Sequence, residues 1–359
     1  MKKVLIACVY PKERVPGQRF RFEQYLDFLS ENGFEITFSN LMSEKELAIY
    51  YKKGHLFQKS IIAIKGLLKR FREVRSASQY DLVFIPRECF ILGTSWFERR
   101  FAGKAKMIFD FDDAIWITTV LSENRWFRFL KNPKKTKEII EKADLVFAGN
   151  QFLKDYATPY NPNVVIVPTT IDTNLYTNNY GSVERPVCIG WSGSFSTTVH
   201  FETCVEALRV IKNKYGSRMT FKVIGDGNYR NEELGIVGDP WVEKTEVQDL
   251  RLIDIGIMPL PEIEWAKGKC GLKGLQYMAL SIPTVMSPVG VNSEIIQDGI
   301  NGFLAADTQE WIDKLSLLVE SKELRMQMGA RGRETVVEKY SIEAVKHSYL
   351  KYFRQITEG

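Results

Sequence analysis

Short apolar, β-branched runs alternate with longer amphipathic ones along most of the chain, and that alternation leaves few folds open. In the first half the strand candidates are Val4–Val9, Glu35–Phe38, Asp81–Ile85, Met107–Asp110, Leu145–Ala148 and Val164–Val167. Between the first two, GQRFRFEQYLDFLSENG puts Phe22, Tyr25, Leu26 and Leu29 on one helical face and stops at Gly33. Strands separated by helices pair in parallel, and a parallel sheet needs cover on both faces. The pattern restarts after Pro186, with strands at Val187–Trp191, Thr220–Ile224, Ile255–Met258 and Thr284–Met286. Helices are predicted there at Phe201–Asn213, Leu272–Ala279 and Trp311–Ser321. The stretch between, PTTIDTNLYTNNYGSVERP, is polar and turn-rich and suits a linker. A chain of 359 residues is long enough for two cores. The reading is two doubly wound α/β domains in tandem, with ligands beyond the carboxyl ends of the strands and a cleft where the domains face each other.

No apolar stretch approaches the roughly 20 residues a bilayer requires. The opening, Met1-Lys2-Lys3 and then VLIACVY, briefly imitates a signal peptide, but the apolar run is too short and Pro11-Lys12-Glu13-Arg14 offers no cleavage site. Five scattered cysteines without a C-x-x-C and three distant histidines suggest a reducing cytoplasm and no structural zinc. Residues 1–180 carry 28 Lys+Arg against 20 Asp+Glu, whereas the remainder carries 21 against 24. The basic first half points to an anionic partner. Nucleic acid is not expected, because no binding motif accompanies the charge. HLFQKSIIAIKGLLKRFREVR, from His55, concentrates that charge: Leu56, Ile61, Ile64, Leu68 and Phe71 can line one side, with Lys59, Lys65, Lys69, Arg70 and Arg72 on the rest. It reads either as a helix lying on anionic lipid or as a domain helix with a solvated basic face.

Three segments of the second half have the form of anion sites. Trp191-Ser192-Gly193-Ser194-Phe195 follows a strand and precedes a helix, so backbone N–H groups and the helix dipole can meet a phosphate, although such turns also cap helices without ligands. It is not a P-loop. Ile224-Gly225-Asp226-Gly227 ends a later strand in the same way, or is simply a tight turn. From Pro259, PLPEIEWAKGKCGLKGLQYMALSIPTVMSPVG gives a loop with Lys267 and Lys269, then a helix opening at Gly271-Leu272 with Lys273 in its first turn. Lysines at a helix N-terminus oppose the dipole unless an anion sits there or they point to water. Gln276, one turn on, can reach a ribose.

This segment resembles the donor-binding region of GT-B glycosyltransferases of family 4. QYMALSIPTVMSPVG is similar to that family's E-A-M-A-x-G-x-P-V-V-x-S-x-x-G, EIIQDGINGFL to its E-x-x-x-D-G-x-N-G-x-L, VIGDG to its strand-plus-G-D-G, and IVPTTIDTNLY to its P-N-G-x-D linker. The likeness covers about residues 144–340 and is faint before that. It implies a GT-B fold of two Rossmann-like domains: 1–170 for the acceptor, a linker at 171–186, 187–340 for a nucleotide sugar, and a closing stretch 341–359 that crosses back onto the first domain. It also implies transfer with retention and no cofactor or metal. Donor contacts would fall on Gly193, Ser194, Asp226, Lys269, Gly271, Leu272, Lys273 and Gln276, with Trp241 at the base unless it packs in the core. The family's glutamate pair falls on Gly268 and Gln276; Glu264, or Glu262, would replace the first. The family's basic pair after the first strand of this domain is missing from Gly193–Val199, and Lys269 and Lys273 would supply that charge. The pattern GKCG-x-K-x-x-QYMA looks like a bacterial subgroup that assembles surface polysaccharide.

FDFDDAIW, residues 109–116, adds Asp110, Asp112 and Asp113 at a strand end. Asp110-Phe111-Asp112 has the form of an Asp-x-Asp metal site, which belongs to the single-domain GT-A fold. In this family the strand ends in a histidine facing the cleft, so Asp112 and Asp113 are expected there as hydroxyl-binding, catalytic carboxylates; Asp113 can instead cap a helix. Arg14, Arg19 and Arg21 follow the first strand, and Arg87-Glu88 ends the third. Acceptor contacts are expected from Arg19, Arg87 and Glu88, the alternatives being a solvated helix face for Arg19 and Arg21 and a local Arg87–Glu88 ion pair. The expected protein is a cytoplasmic, metal-independent glycosyltransferase that takes a nucleotide sugar and a glycan or lipid-linked acceptor, touching an anionic membrane through its first domain. A sugar-nucleotide epimerase and a non-catalytic sugar- or lipid-binding module are the alternatives.

Overall fold

The computed structural model describes residues 1–52, 54–117, 132–177 and 185–358. Two units divide the chain: Met1–Thr169 with Val345–Gly359, and Thr170–Ala344.

The first unit is built on β1 (Lys2–Cys8), β2 (Phe34–Asn40), β3 (Leu82–Pro86), β4 (Lys106–Phe111), β5 (Leu145–Ala148) and β6 (Val164–Ile166). They pair in parallel in the order β2-β1-β3-β4-β5-β6. Val4–Cys8 and all of β3 are buried, the signature of central strands covered by helices on both faces. From β1 the chain winds outward to β2, then returns past β1 to β3. The winding direction therefore reverses between β1 and β3, and the crevice for a ligand lies beyond the carboxyl ends of these two strands. Tyr349 of the helix Ile342–Glu358 stacks on Tyr25 (ring centroids 4.4 Å apart), and Phe353 meets Phe34 and Phe84.

Two basic side chains for which a solvated or an anion-facing position was expected turn inward. Arg21 is 1% exposed and forms an ion pair with the equally buried Asp110, and it also donates to the Val167 carbonyl. Arg70, placed on a basic outer face by its spacing, is fully buried and donates to the Cys89 carbonyl (2.7 Å) and to Ser39 Oγ (3.1 Å). Both guanidiniums satisfy backbone carbonyls and a carboxylate or hydroxyl within the unit, which is what lets them leave water. The helix Leu56–Ser76 thus buries Ile62, Gly66, Arg70 and Val74, not the stripe from Leu56 to Phe71. Gly66 sits so close to Leu41 that a Cβ there would lie 2.8 Å from its Cδ1.

The second unit repeats the plan. β7 (Val187–Ser192), β8 (Met219–Ile224), β11 (Ile255–Met258), β12 (Thr284–Met286) and β13 (Phe303–Leu304) form a parallel sheet in the order β13-β12-β11-β7-β8. A two-stranded antiparallel hairpin, β9 (Arg230–Asn231) with β10 (Ile236–Val237), stands apart from it. Trp191, Phe201, Leu208, Ile257 and Leu315 share its core. Winding reverses between β7 and β11, and the ends of these strands lead to Gly193 and to the lysine-bearing loop.

Candidate functional site

In the second unit the three segments singled out by sequence converge. The Gly193 N–H donates to the Ile224 carbonyl (2.9 Å), so the turn after β7 rests on the turn after β8. Gly225 has φ +115°, and a Cβ on it would lie 1.7 Å from the Gly193 carbonyl oxygen; no other residue fits. Gly193 is equally constrained: a Cβ there would meet the Trp191 indole at 2.4 Å and Lys273 Nζ at 2.8 Å. Asp226 holds this turn together, accepting from the Asn228 N–H (3.0 Å) and from Thr198 Oγ1 (3.5 Å). Ser194 is exposed, its hydroxyl 2.9 Å from that of Ser196.

The helix Leu272–Ala279 opens at Gly271, whose φ of +70° and 2.4 Å clearance from Ile295 Cδ1 exclude a side chain. No side chain caps its first turn among the described residues, and Lys273 of that turn reaches the Gly193 turn. Lys273 Nζ lies 4.5 Å from the centre of a Trp191 ring, and Lys269 Nζ lies 3.6 Å from that of Trp265. Aromatic faces thus hold both ammonium groups. Burial, with the neighbouring Lys269 adding to it, pushes Lys273 down to about 7. His200 stacks on Trp265 (5.4 Å, 28°), is 5% exposed, and is pushed down to about 4 by burial and then by Lys273 and Lys269. The lysines do not splay into water; they form a positively charged, partly desolvated cluster at the switch point of the sheet. Trp191, Trp265 and His200 were not foreseen as its supports. The spacing of Lys273 from Gly271 was visible, but nothing local in the sequence brings a tryptophan from β7 beneath it.

Gln276 and Trp241, expected at a ribose and at the base, are joined through one carboxylate. Gln276 is 5% exposed, and its amide donates to Tyr176 Oη (2.9 Å) and Glu246 Oε1 (3.3 Å). Trp241 Nε1 donates to the same Glu246 oxygen (3.0 Å), and Tyr176 donates to Glu246 Oε2 (3.1 Å). Glu246 therefore ties together residues 176, 241 and 276, a network no motif announced. Glu264 stands exposed on the first turn of the short helix Glu264–Lys267, and Glu262 is exposed beside it.

At the switch point of the first unit, Arg87 adopts φ +58°, an uncommon value for a residue with a side chain, and its N–H donates to the Asp110 carbonyl (2.7 Å). This turn aims the guanidinium at Asp112: Nε lies 2.6 Å from Oδ1. Gly17, in the short helix Pro16–Arg19, rides on that pair, since a Cβ would lie 3.1 Å from Asp112 Oδ2 and 3.2 Å from Arg87 Nη2. Arg87 and Glu88 do not form the local ion pair considered above; Glu88 accepts from Lys135 Nζ (2.7 Å). Asp110 and Asp112 likewise serve different guanidiniums, Arg21 and Arg87, so the Asp-x-Asp carboxylates are not presented as a pair. Asp113 Oδ1 accepts from the Ala114 N–H (2.9 Å), holding the turn that follows. Arg19 is half-buried with its guanidinium 4.9 Å from the Phe20 ring centre.

Comparison with known proteins gives this geometry a context. The chain is 26% identical over 231 residues to the N-acetyl-alpha-D-glucosaminyl L-malate synthase of Bacillus anthracis, covering 58% of this chain and 59% of that protein. It spans about three fifths of the length of the curated relatives it matches. Among solved structures, a sucrose-phosphate synthase from Thermosynechococcus elongatus superposes with a TM-score of 0.70 at 13% identity, with 100% of both chains covered. Anabaena Alr3699/HepE, solved with UDP and glucose, superposes with a TM-score of 0.63 at 13% identity over 98% of this chain and 99% of that one. The fold is thus the α/β fold of the GT-B glycosyltransferases, and residues 186–321, which hold the lysine cluster and its glycine turns, match the family described as Glycosyl transferases group 1.

Proposed function

We propose that this protein transfers a sugar, with retention of anomeric configuration and without a metal, from a nucleoside-diphosphate sugar to a glycan or lipid-linked acceptor. Bacterial surface-polysaccharide assembly, on the cytoplasmic side of the membrane, is the setting we infer. The observation that carries the reading is the Lys269/Lys273 cluster at the β7–β11 switch point, facing the side-chain-free Gly193 turn and an uncapped helix end. A buried ammonium pushed down to about 7 carries a desolvation cost that a diphosphate would offset. Backbone N–H groups at Gly193–Ser194 and Gly271–Leu272 would take the remaining phosphate oxygens.

In this reading Lys273 and Lys269 stabilise the negative charge that develops on the leaving diphosphate. The leaving phosphate accepts the acceptor's proton, so no general base is required of the protein. Gln276 is a positioning residue: its amide is spent on Tyr176 and Glu246, and reaching a ribose would break those bonds. Glu264 is exposed and free to turn toward the donor sugar. On the first unit, Asp112, oriented by Arg87, binds an acceptor hydroxyl, with Arg19 and Glu88 around it; Asp113 shapes the turn.

A thermal-shift panel of nucleoside diphosphates tests the donor site. At least one should stabilise the wild type, and Lys273→Met should remove that shift. Stabilisation that survives in both Lys273→Met and Lys269→Met would place the nucleotide elsewhere. With the nucleotide so identified, its sugar conjugates are assayed as donors, and retention is read from the anomeric proton coupling of the product. Activity should persist in chelator, and its loss there would overturn the metal-independent mechanism.

A further inference from the structure

The helix Leu56–Ser76 carries two apolar stripes, and only one of them is used by the fold. Its inner face is Ile62, Gly66, Arg70 and Val74. Opposite lies Phe57, Ile61, Ile64, Leu68 and Phe71, recurring every three or four residues along about four turns. Phe57 is 78% exposed, Ile64 58% and Leu68 52%, so the stripe is presented outward over most of its length. Exposed large hydrophobics scattered singly are ordinary; a continuous row of five is not.

We propose that this face is a docking surface for an anionic lipid bilayer, with the helix lying in the plane of the interface. Charge argues for lipid as the occupant. Glu73 is the one acidic residue of the helix, and its carboxylate serves the buried Arg70 and Ser39. Arg72 and Arg75 are exposed along the stripe, long side chains able to reach headgroups while the apolar row dips below them, and the exposed Lys65 beside them pairs with Glu46 (2.7 Å). A second helix packing on this row would have to supply the counter-charges for Arg72 and Arg75 itself. At its carboxyl end the stripe runs on into the neighbouring helix Trp96–Ala102: Phe71 lies 5.1 Å from the half-buried Trp96, over which the Arg100 guanidinium also sits at 5.1 Å. Tryptophan beside arginine at the margin of an apolar patch matches the chemistry of the headgroup layer. No described helix is long and apolar enough to cross a membrane, so contact here is in-plane. Vesicle binding is independent of sugar transfer, and either conclusion can fail without the other.

The test is flotation of the full chain with vesicles of phosphatidylglycerol and phosphatidylcholine, against phosphatidylcholine alone. Binding should be at least ~10-fold stronger to the anionic vesicles. Ile64→Ser/Leu68→Ser, both on exposed positions, should weaken it at least ~10-fold while the thermal midpoint stays unchanged. All five native cysteines are buried, so Ile64→Cys can carry an environment-sensitive fluorophore, whose emission should shift blue on anionic vesicles. Absence of vesicle binding, binding indifferent to Ile64→Ser/Leu68→Ser, or a label that stays in water would each overturn the proposal. So would self-association through this row without any vesicle binding.

Discussion

Lys273 and His200 show how one site sets two titrations. Lys273, pushed down to about 7 in the free protein by burial and by Lys269, will rise when a diphosphate supplies negative charge beside it. Proton uptake therefore accompanies binding above pH 7. Calorimetric affinity for the nucleoside diphosphate should be level below pH 7 and fall, by up to ~10-fold per pH unit, above it. The ligand's own ionisation is common to wild type and Lys273→Met, so the ratio of their affinities isolates the lysine; a pH-independent ratio would remove Lys273 from the site. His200 acts on stability instead. Its folded value of about 4 lies below the ordinary 6.5, so the folded state binds fewer protons in that window. Stability is complete above pH 6.5 and declines as pH falls from 6.5 through 4, by up to roughly 3 kcal/mol. His200→Phe keeps the stack on Trp265 and should flatten the thermal midpoint across that range; an unchanged slope would assign it to another group.

At the level of elements, the two glycine turns form a single structure, and a substitution can show it. Gly225→Ala adds a Cβ 1.7 Å from the Gly193 carbonyl at a φ of +115°, whereas Gly216→Ala, at φ +55°, meets nothing within 4 Å. The second, whose ψ of −126° lies outside the left-handed helical region, should cost about 1–3 kcal/mol, the backbone penalty alone. The first must move the Gly193 turn, and should cost at least ~3 kcal/mol together with the nucleotide-induced thermal shift. Equal costs by denaturant titration would mean that the turns are independent. The contrast marks what a sequence can reveal. Strand positions were legible because parallel central strands are apolar along their length, and Gly271 and Lys273 because a helix start has a local signature. Inward-turned Arg21 and Arg70 were not legible, since their partners Asp110 and Ser39 lie 89 and 31 residues away. The stripe from Leu56 to Phe71 was legible as a stripe, but not which face of the helix Leu56–Ser76 turns outward. Its two apolar faces give nearly the same period, and the choice between them is made by Leu41 meeting Gly66.

For the whole molecule, connectivity has an energetic consequence. The second unit is one continuous stretch, Thr170–Ala344, but the first is completed only by Val345–Gly359. Tyr349 and Phe353, each 1% exposed, bring aromatic rings to Tyr25, Phe34 and Phe84, filling space between the β1–β3 region and the last helix. During synthesis the first unit therefore waits for residues 345–359, while the second has all its strands earlier. Phe353→Ala removes one buried ring, and a loss of about 3–5 kcal/mol follows from the cavity and the lost transfer energy. Because those contacts belong to one unit, the loss should be local. Hydrogen exchange read by peptide should show reduced protection in β1, β3 and the Tyr25 segment, with β7, β8 and β11 at wild-type levels. Truncation after Ala344 should extend the same pattern to all of β1–β6. Protection lost equally across both sheets would show that the two units unfold as one cooperative body, and the division of the chain would then describe its geometry but not its energetics.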